Sequence, residues 1–211
     1  FPAINNPEKI WGCIPVWGFA EVIMTNNPEI EHGERVFGYF PPADFLIVNP
    51  VKVSPASFSD GKEHRKELPP VYNNYVRHNS ENDYDKSMDD IRALLFPLHI
   101  TAFCLCDALE EQSYNGASQV VIVSASSKTA IGLAQGLAET DGSPKIVGLT
   151  SSINLQFVES LGCYDQVISY DNLGSINNAS SVIVDMSGNQ EVLSAVQNKL
   201  KGDLLKCLTV G

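Results

Sequence analysis

Positive charge is scarce in this chain: 14 Lys and Arg stand against 25 Asp and Glu, a net charge of −11 over 211 residues. That deficit excludes a broad surface for nucleic acid or for an anionic membrane, while leaving room for one small phosphate pocket. Cysteine is sparse and odd in number. Cys13, Cys104, Cys106, Cys163 and Cys207 have apolar neighbours, which argues against a disulfide framework and for reduced, mostly buried thiols. Cys104 and Cys106 form a lone C-x-C with no second pair and no His at ligand spacing, so no metal site is expected. The sequence has no unbroken apolar run of membrane-spanning length and no signal-peptide pattern. With reduced thiols, this leads us to expect a cytoplasmic protein with no membrane and no nucleic acid among its partners. A Ser-His-Asp order, a nucleophile elbow and H-E-x-x-H are missing too. So are the glycines of G-x-x-x-x-G-K-[ST], which sets aside phosphoryl transfer at Ser127-Lys128-Thr129.

What is present is a core. Hydrophobic residues make up 44% and charged residues 18%, so disorder is not expected. The chain starts at Phe1 amid proline and asparagine and ends at Val210-Gly211 directly after a strand-like run. Both ends read as cut, and a fragment of a longer protein is expected.

The centre of the chain is QVVIVSASSKTAIGLAQGLAE, Gln119 to Glu139. Val120–Val123 is a β-branched run, the pattern of a strand buried on both faces. Ser124, Ser126, Ser127, Lys128 and Thr129 follow, and then Ile131, Ala134, Leu137 and Ala138 recur at helical spacing. Strand, tight turn and helix start make a natural phosphate site, because free N–H groups and the positive end of a dipole meet there. An ordinary capped turn is the plain alternative.

Upstream, residues 1 to about 60 carry short apolar runs at 14–17, 21–24, 35–39 and 45–48 between Gly, Pro and Asn turn signals, which predicts a β-rich subdomain. Residues 59–90, with HRKELPP and ENDYDKSMDD, read as a long polar loop or insertion. From Met88 to Glu111 the period is helical, with Asp89 and Asp90 at its start. After Gly116 strand-like and helical runs alternate: 120–123 and 128–140, 145–149 and 153–161, 166–169, 182–185 and 189–200, then 204–210. That alternation predicts a Rossmann-type parallel sheet with flanking helices, in an α/β chain divided near 110–118 into residues 1–111 and 112–211.

The order of these pieces resembles the zinc-free branch of the medium-chain dehydrogenase/reductase superfamily, the quinone reductases and their relatives. VWGFAEVIMTNNPEIEHGERVFGYFPPADFLIVN, FPLHITAFCLCDAL, ESLGCYDQVISY, SVIVDMSGN and LKCLTVG stand in that superfamily's order. A smaller bacterial and fungal group with no assigned activity shares W-G-F-A-x-V, L-P-P-V-Y-N and S-A-S-S-K-T-A. The resemblance implies that residues 1–111 are part of a GroES-like catalytic domain, that 112–211 are an incomplete nucleotide-binding domain, and that the cofactor is NADPH. It places Ser187, Gly188 and Gly211 at the cofactor. It departs from the superfamily at the turn, which has no glycine before Gly132.

The second strand ends in Thr150-Ser151-Ser152 with no acid to bind a ribose diol, which favours NADPH. Tyr170 aligns with the superfamily's tyrosine beside the 2′-phosphate, while Asn154 replaces its lysine. Candidate donors toward a substrate oxygen are Thr101, in the superfamily's Thr-Ala step, with Tyr39, Tyr72 and Tyr75; packing is the alternative for each tyrosine. His32, His64 and His78 lie in polar segments expected to be exposed, and His99 is expected in the core. Asp185 is a cap or a site residue. The expectation is a reductase of a quinone, enone or similar small carbonyl compound; the alternative is a non-catalytic nucleotide-binding or partner-binding protein on the same fold. Self-association is left open.

Overall fold

A computed structural model describes residues 12–78 and 83–210. The chain divides into two compact units, Phe1–Pro97 and Leu98–Gly211. The division falls inside a long helix.

The first unit is one antiparallel sheet in the order β1-β2-β5-β4-β3: β1 Val16–Glu21, β2 Arg35–Phe40, β3 Pro50–Val51, β4 Ser57–Asp60 and β5 Asn74–Arg77. Ile30, Val36, Phe58 and Tyr75 form its core. Two sequence expectations are corrected here. Phe45–Val48 is not a strand; the pairing begins at Pro50. Residues 59–90 are not a loop, because they hold α1 Pro70–Asn73 and the strand β5, which sits between β2 and β4. Their charges misled because they pair inside the fold. Arg77 bonds the fully buried Glu34, and Asp89 accepts from the Arg35 guanidinium at 2.9 Å and the Tyr84 hydroxyl at 2.7 Å. Burial would raise both carboxyls, but hydrogen bonds from Arg77 hold Glu34 low, and those from Tyr84 and Arg35 hold Asp89 low. His78 is buried as well, stacked on Tyr84 with centroids 4.5 Å apart, whereas His99 is exposed. Both reverse the expectation from sequence.

Helix α2 spans Asp89–Glu111. The helical stretch Lys86–Glu111 is long and apolar enough to cross a membrane by length and composition, with mean hydropathy 1.5 over an 18-residue window. His99 and Thr101 interrupt its apolar run, so no unbroken stretch marks it in the sequence. Mostly buried core helices of soluble proteins meet the same criterion, whereas 17% of this window is buried.

The second unit is a five-stranded parallel sheet in the order β10-β9-β6-β7-β8: β6 Gln119–Val123, β7 Lys145–Thr150, β8 Gln166–Ser169, β9 Ser181–Asp185 and β10 Leu204–Thr209. Numbered from β6, that is 3-2-1-4-5 read from the β8 edge, the order of a doubly wound nucleotide-binding sheet. Its helices are α3 Lys128–Glu139, α4 Leu155–Ser160 and α5 Gln190–Lys199. Alternate residues of each central strand face opposite sides. Val120, Ile122, Val182 and Val184 pack with Ala102, Cys106 and Leu109 of α2 and with Ala130, Leu133, Ala134 and Leu137 of α3. Val121, Val123 and Ile183 pack with Leu193 and Val196 of α5 and with Ile176. Both faces are therefore dry, which explains the unbroken apolar strands. All five cysteines are free thiols. Only Cys106 and Cys163 are buried, and Cys104 is exposed, contrary to the expectation that most would be buried.

Candidate functional site

The strand order fixes where a ligand can enter. From β6 the chain winds outward through α3 to β7 and then to β8; it later returns to β9, on the other side of β6. The connections after β6 and β9 run on opposite faces, so a crevice opens beyond the carboxyl ends of these two strands. Val123 pairs with Asp185 at that end.

The turn after β6 is held by backbone bonds and two tyrosines. Ser124 is left-handed at φ 68°, a conformation that favours glycine and costs a side-chain-bearing residue about 1–3 kcal/mol. The Ala125 amide donates to the Leu149 carbonyl at 2.9 Å, and the Ser127 amide to the Ser124 carbonyl at 2.9 Å. The Ser124 amide donates to the Tyr170 hydroxyl at 3.1 Å. The Tyr164 hydroxyl donates to the Ala125 carbonyl at 2.9 Å. Tyr164 packs with the cluster on one face of the sheet and Tyr170 with the cluster on the other, so the turn is gripped from both sides. Burial pushes both phenols above their ordinary range. Gly148 makes room for the grip, since a Cβ there would lie 2.8 Å from the Tyr164 ring.

Ser127 caps α3, its hydroxyl accepting from the Ala130 amide at 3.3 Å. Among the described residues the amides of Lys128 and Thr129 have no acceptor, as expected in the first turn of a helix. Lys128 is exposed and makes no ion pair among the described residues. Ser126 accepts from the Asn154 side-chain amide at 3.2 Å, which ties this turn to the loop after β7. The structure thus gathers Ser124, Ser126, Ser127, Lys128, Thr129 and Asn154, with Tyr170 bonded to the turn itself. Thr150 is only 1% exposed and belongs to the strand's packing. Ser151 accepts the Asn154 amide through its carbonyl, and Ser152 is exposed and bonds to Asp171.

Across the crevice, Asp185 ends β9 and is buried. Its Oδ1 accepts from the Ser187 amide at 3.0 Å and the Ser187 hydroxyl at 2.6 Å. Asn189 caps α5, accepting from the Glu191 and Val192 amides. Gly188 takes φ 61°. Gly211 lies outside the described residues.

The candidate donors fall in different places. Tyr39 and Tyr72 lie in the first unit, with ring centroids 5.2 Å apart and packed around Trp17 at 5.0 and 6.0 Å. Neither hydroxyl has a partner among the described residues. Tyr75 is core, stacked on Phe58, and burial pushes its phenol up to about 12. Thr101 is half-buried on α2, in the second unit. Two residues escaped sequence reading. Tyr164 had one signal, the glycine inside the apolar strand Lys145–Thr150, which marks a close approach. Asp171 had none, because it meets Ser152 from the far end of β8.

These features can be set beside known proteins. One family model matches residues 1–211, that of the family described as "Protein of unknown function (DUF2855)". No curated protein matches the chain. Among solved structures it is similar to the Bacillus subtilis protein yhfP with NAD bound, at 15% identity and a TM-score of 0.45, over 94% of this chain and 63% of that one. It is similar to a thermostable alcohol dehydrogenase from Pyrobaculum aerophilum at 13% identity and 0.40, over 93% and 68%. It is also similar to mycobacterial Rv1454c complexed with NADPH at 12% identity and 0.39, over 94% and 62%. The chain thus spans less than two thirds of the length of the first of these.

Proposed function

We propose, for a chain that belongs to the DUF2855 family along all its residues, that the second unit binds a nicotinamide dinucleotide and that the protein is an oxidoreductase. The strand order is the observation that carries this reading: it opens a crevice at β6 and β9, with the start of α3 directly behind it. The residues present fit the pyrophosphate of such a cofactor. Unclaimed amides at Lys128 and Thr129, the Ser126 hydroxyl and the Lys128 ammonium are donors of the right kind. Tyr164 and Tyr170 fix the turn before a ligand arrives, so less ordering entropy is lost on binding. The bound dinucleotide would supply the hydride. The protein's share is to orient it and to place a hydroxyl near a carbonyl or enone oxygen, a role for which Thr101, Tyr39 and Tyr72 are each a separate candidate. The substrate class is a small quinone, enone or carbonyl compound, in the manner of the zinc-independent medium-chain reductases, with homo-oligomers and a cytoplasmic setting as part of the proposal. NADPH is the form that the Thr150–Ser152 segment suggests by itself; the carboxylate of Asp171 reopens that choice below.

A second reading, a nucleotide-binding or partner-binding protein without turnover, draws on a specific observation. The buried acid at the crevice, Asp185, is already committed to the Ser187 amide and hydroxyl, which leaves no clear catalytic acid there. Calorimetric titration with NADH and NADPH tests binding, and nicotinamide oxidation against a quinone and enone panel tests turnover. Lys128→Ala should weaken dinucleotide binding by about 1–3 kcal/mol, the scale of a charge-assisted hydrogen bond, without lowering stability. Binding without turnover selects the second reading. No binding of either dinucleotide removes both.

A further inference from the structure

The segment after β8 reaches two places at once. Tyr170 takes the Ser124 amide of the first turn, and the next residue, Asp171, accepts the hydroxyl of Ser152 through Oδ2. Ser152 opens the 3-10 turn that follows β7, the place where a doubly wound sheet meets the adenosine ribose. Sequence order puts no acid there; the fold brings one from nineteen residues downstream. The carboxylate is exposed, and its other oxygen, Oδ1, has no partner among the described residues. No cation is paired with it among those residues. A carboxylate fixed at one oxygen and open at the other can accept two hydroxyls of a vicinal diol. The same charge repels a phosphate on that diol, and a net charge of −11 adds to the repulsion.

We infer that Asp171, anchored by Ser152, is the residue that selects the dinucleotide, and that it selects the free ribose diol, so NADH is preferred over NADPH. This rests on the dinucleotide reading above and reverses the preference that Thr150–Ser152 suggests alone. Asp171 is a specificity-determining residue here and takes no part in hydride transfer. Its alternative role, an acid in the first turn of a 3-10 segment, would leave selectivity untouched.

The test is a titration of the full chain with each dinucleotide, for the parent, Asp171→Asn and Ser152→Ala. The parent should bind NADH about tenfold more tightly than NADPH, the scale of one hydrogen bond to a charged group. Asp171→Asn should bring the two within about threefold of each other, mainly by improving NADPH. Ser152→Ala, which frees the carboxylate, should narrow the ratio less. Added salt should narrow the parent's ratio more than that of Asp171→Asn, which keeps only the diffuse repulsion of the chain's net charge. Thermal midpoints near the parent's would show that both exposed substitutions fold. Dinucleotide binding with NADPH equal or favoured in the parent overturns this inference alone. So does a ratio that Asp171→Asn does not change. Binding of neither dinucleotide overturns the underlying site as well.

Discussion

Ser124 shows how single residues carry the site. Its left-handed backbone is strained, and the strain persists because neighbours over-determine it. Tyr170→Phe removes the acceptor of the Ser124 amide and keeps the ring's packing. It should cost about 1–3 kcal/mol, the penalty for an unsatisfied, partly buried donor, read as a shift in the urea midpoint at constant slope. Cys106 makes the second test at this scale. Burial and the Glu110 carboxylate, 3.3 Å from Sγ, push its thiol from 9.0 up to about 11. The folded state therefore holds the proton that the unfolded chain releases first. That contribution is whole below pH 9 and is lost as pH rises toward 11. Urea unfolding at about pH 8 and about pH 10 should show a steeper loss in the parent than in Cys106→Ala; equal slopes would deny the shift. At this scale the sequence showed the Ser127 cap and the hydroxyl-rich turn, since both are local. It hid Tyr164 and Asp171, whose partners lie 39 and 19 residues away.

Between elements, the seam of α2 and α3 is set by small residues. A Cβ on Gly132 would stand 3.0 Å from the Ala102 Cβ, and one on Gly136 would stand 3.3 Å from the Cys106 Sγ. Ala102 Cβ cannot turn away, because it sits on the backbone, whereas a thiol can shift by a few tenths of an ångström. Gly132→Ala should therefore destabilise by about 1–2 kcal/mol, overpacking outweighing the gain in helix propensity. Gly136→Ala should fall within about 0.5 kcal/mol of the parent. Ala102→Gly added to Gly132→Ala should recover part of the loss, and simple additivity of the two would contradict the contact. Elements were legible where burial is two-sided. All five strands of the parallel sheet stand within two residues of their expected limits, because unbroken apolar runs separated by amphipathic helices admit few other arrangements. The antiparallel sheet was half legible. β5 reads Asn-Tyr-Val-Arg, and nothing local reveals that Tyr75 is core or that Arg77 has a buried carboxylate waiting for it.

For the molecule as a whole, each unit closes on a core of its own. The first is built on Ile30, Val36, Phe58 and Tyr75, and both clusters of the second are built on the same strands. Low pH should weaken the first unit early. Glu34 and Asp89 are held below their ordinary values of 4.5 and 3.8, so their contribution is present above those values and is lost as pH falls below them. The single strand β6 has a further consequence. It gives Val120 and Ile122 to one face and Val121 and Val123 to the other, so neither cluster can melt while the other stays intact. The second unit should unfold in one cooperative step, and Val121→Ala and Ile122→Ala should lower that same step, each by about 2–4 kcal/mol.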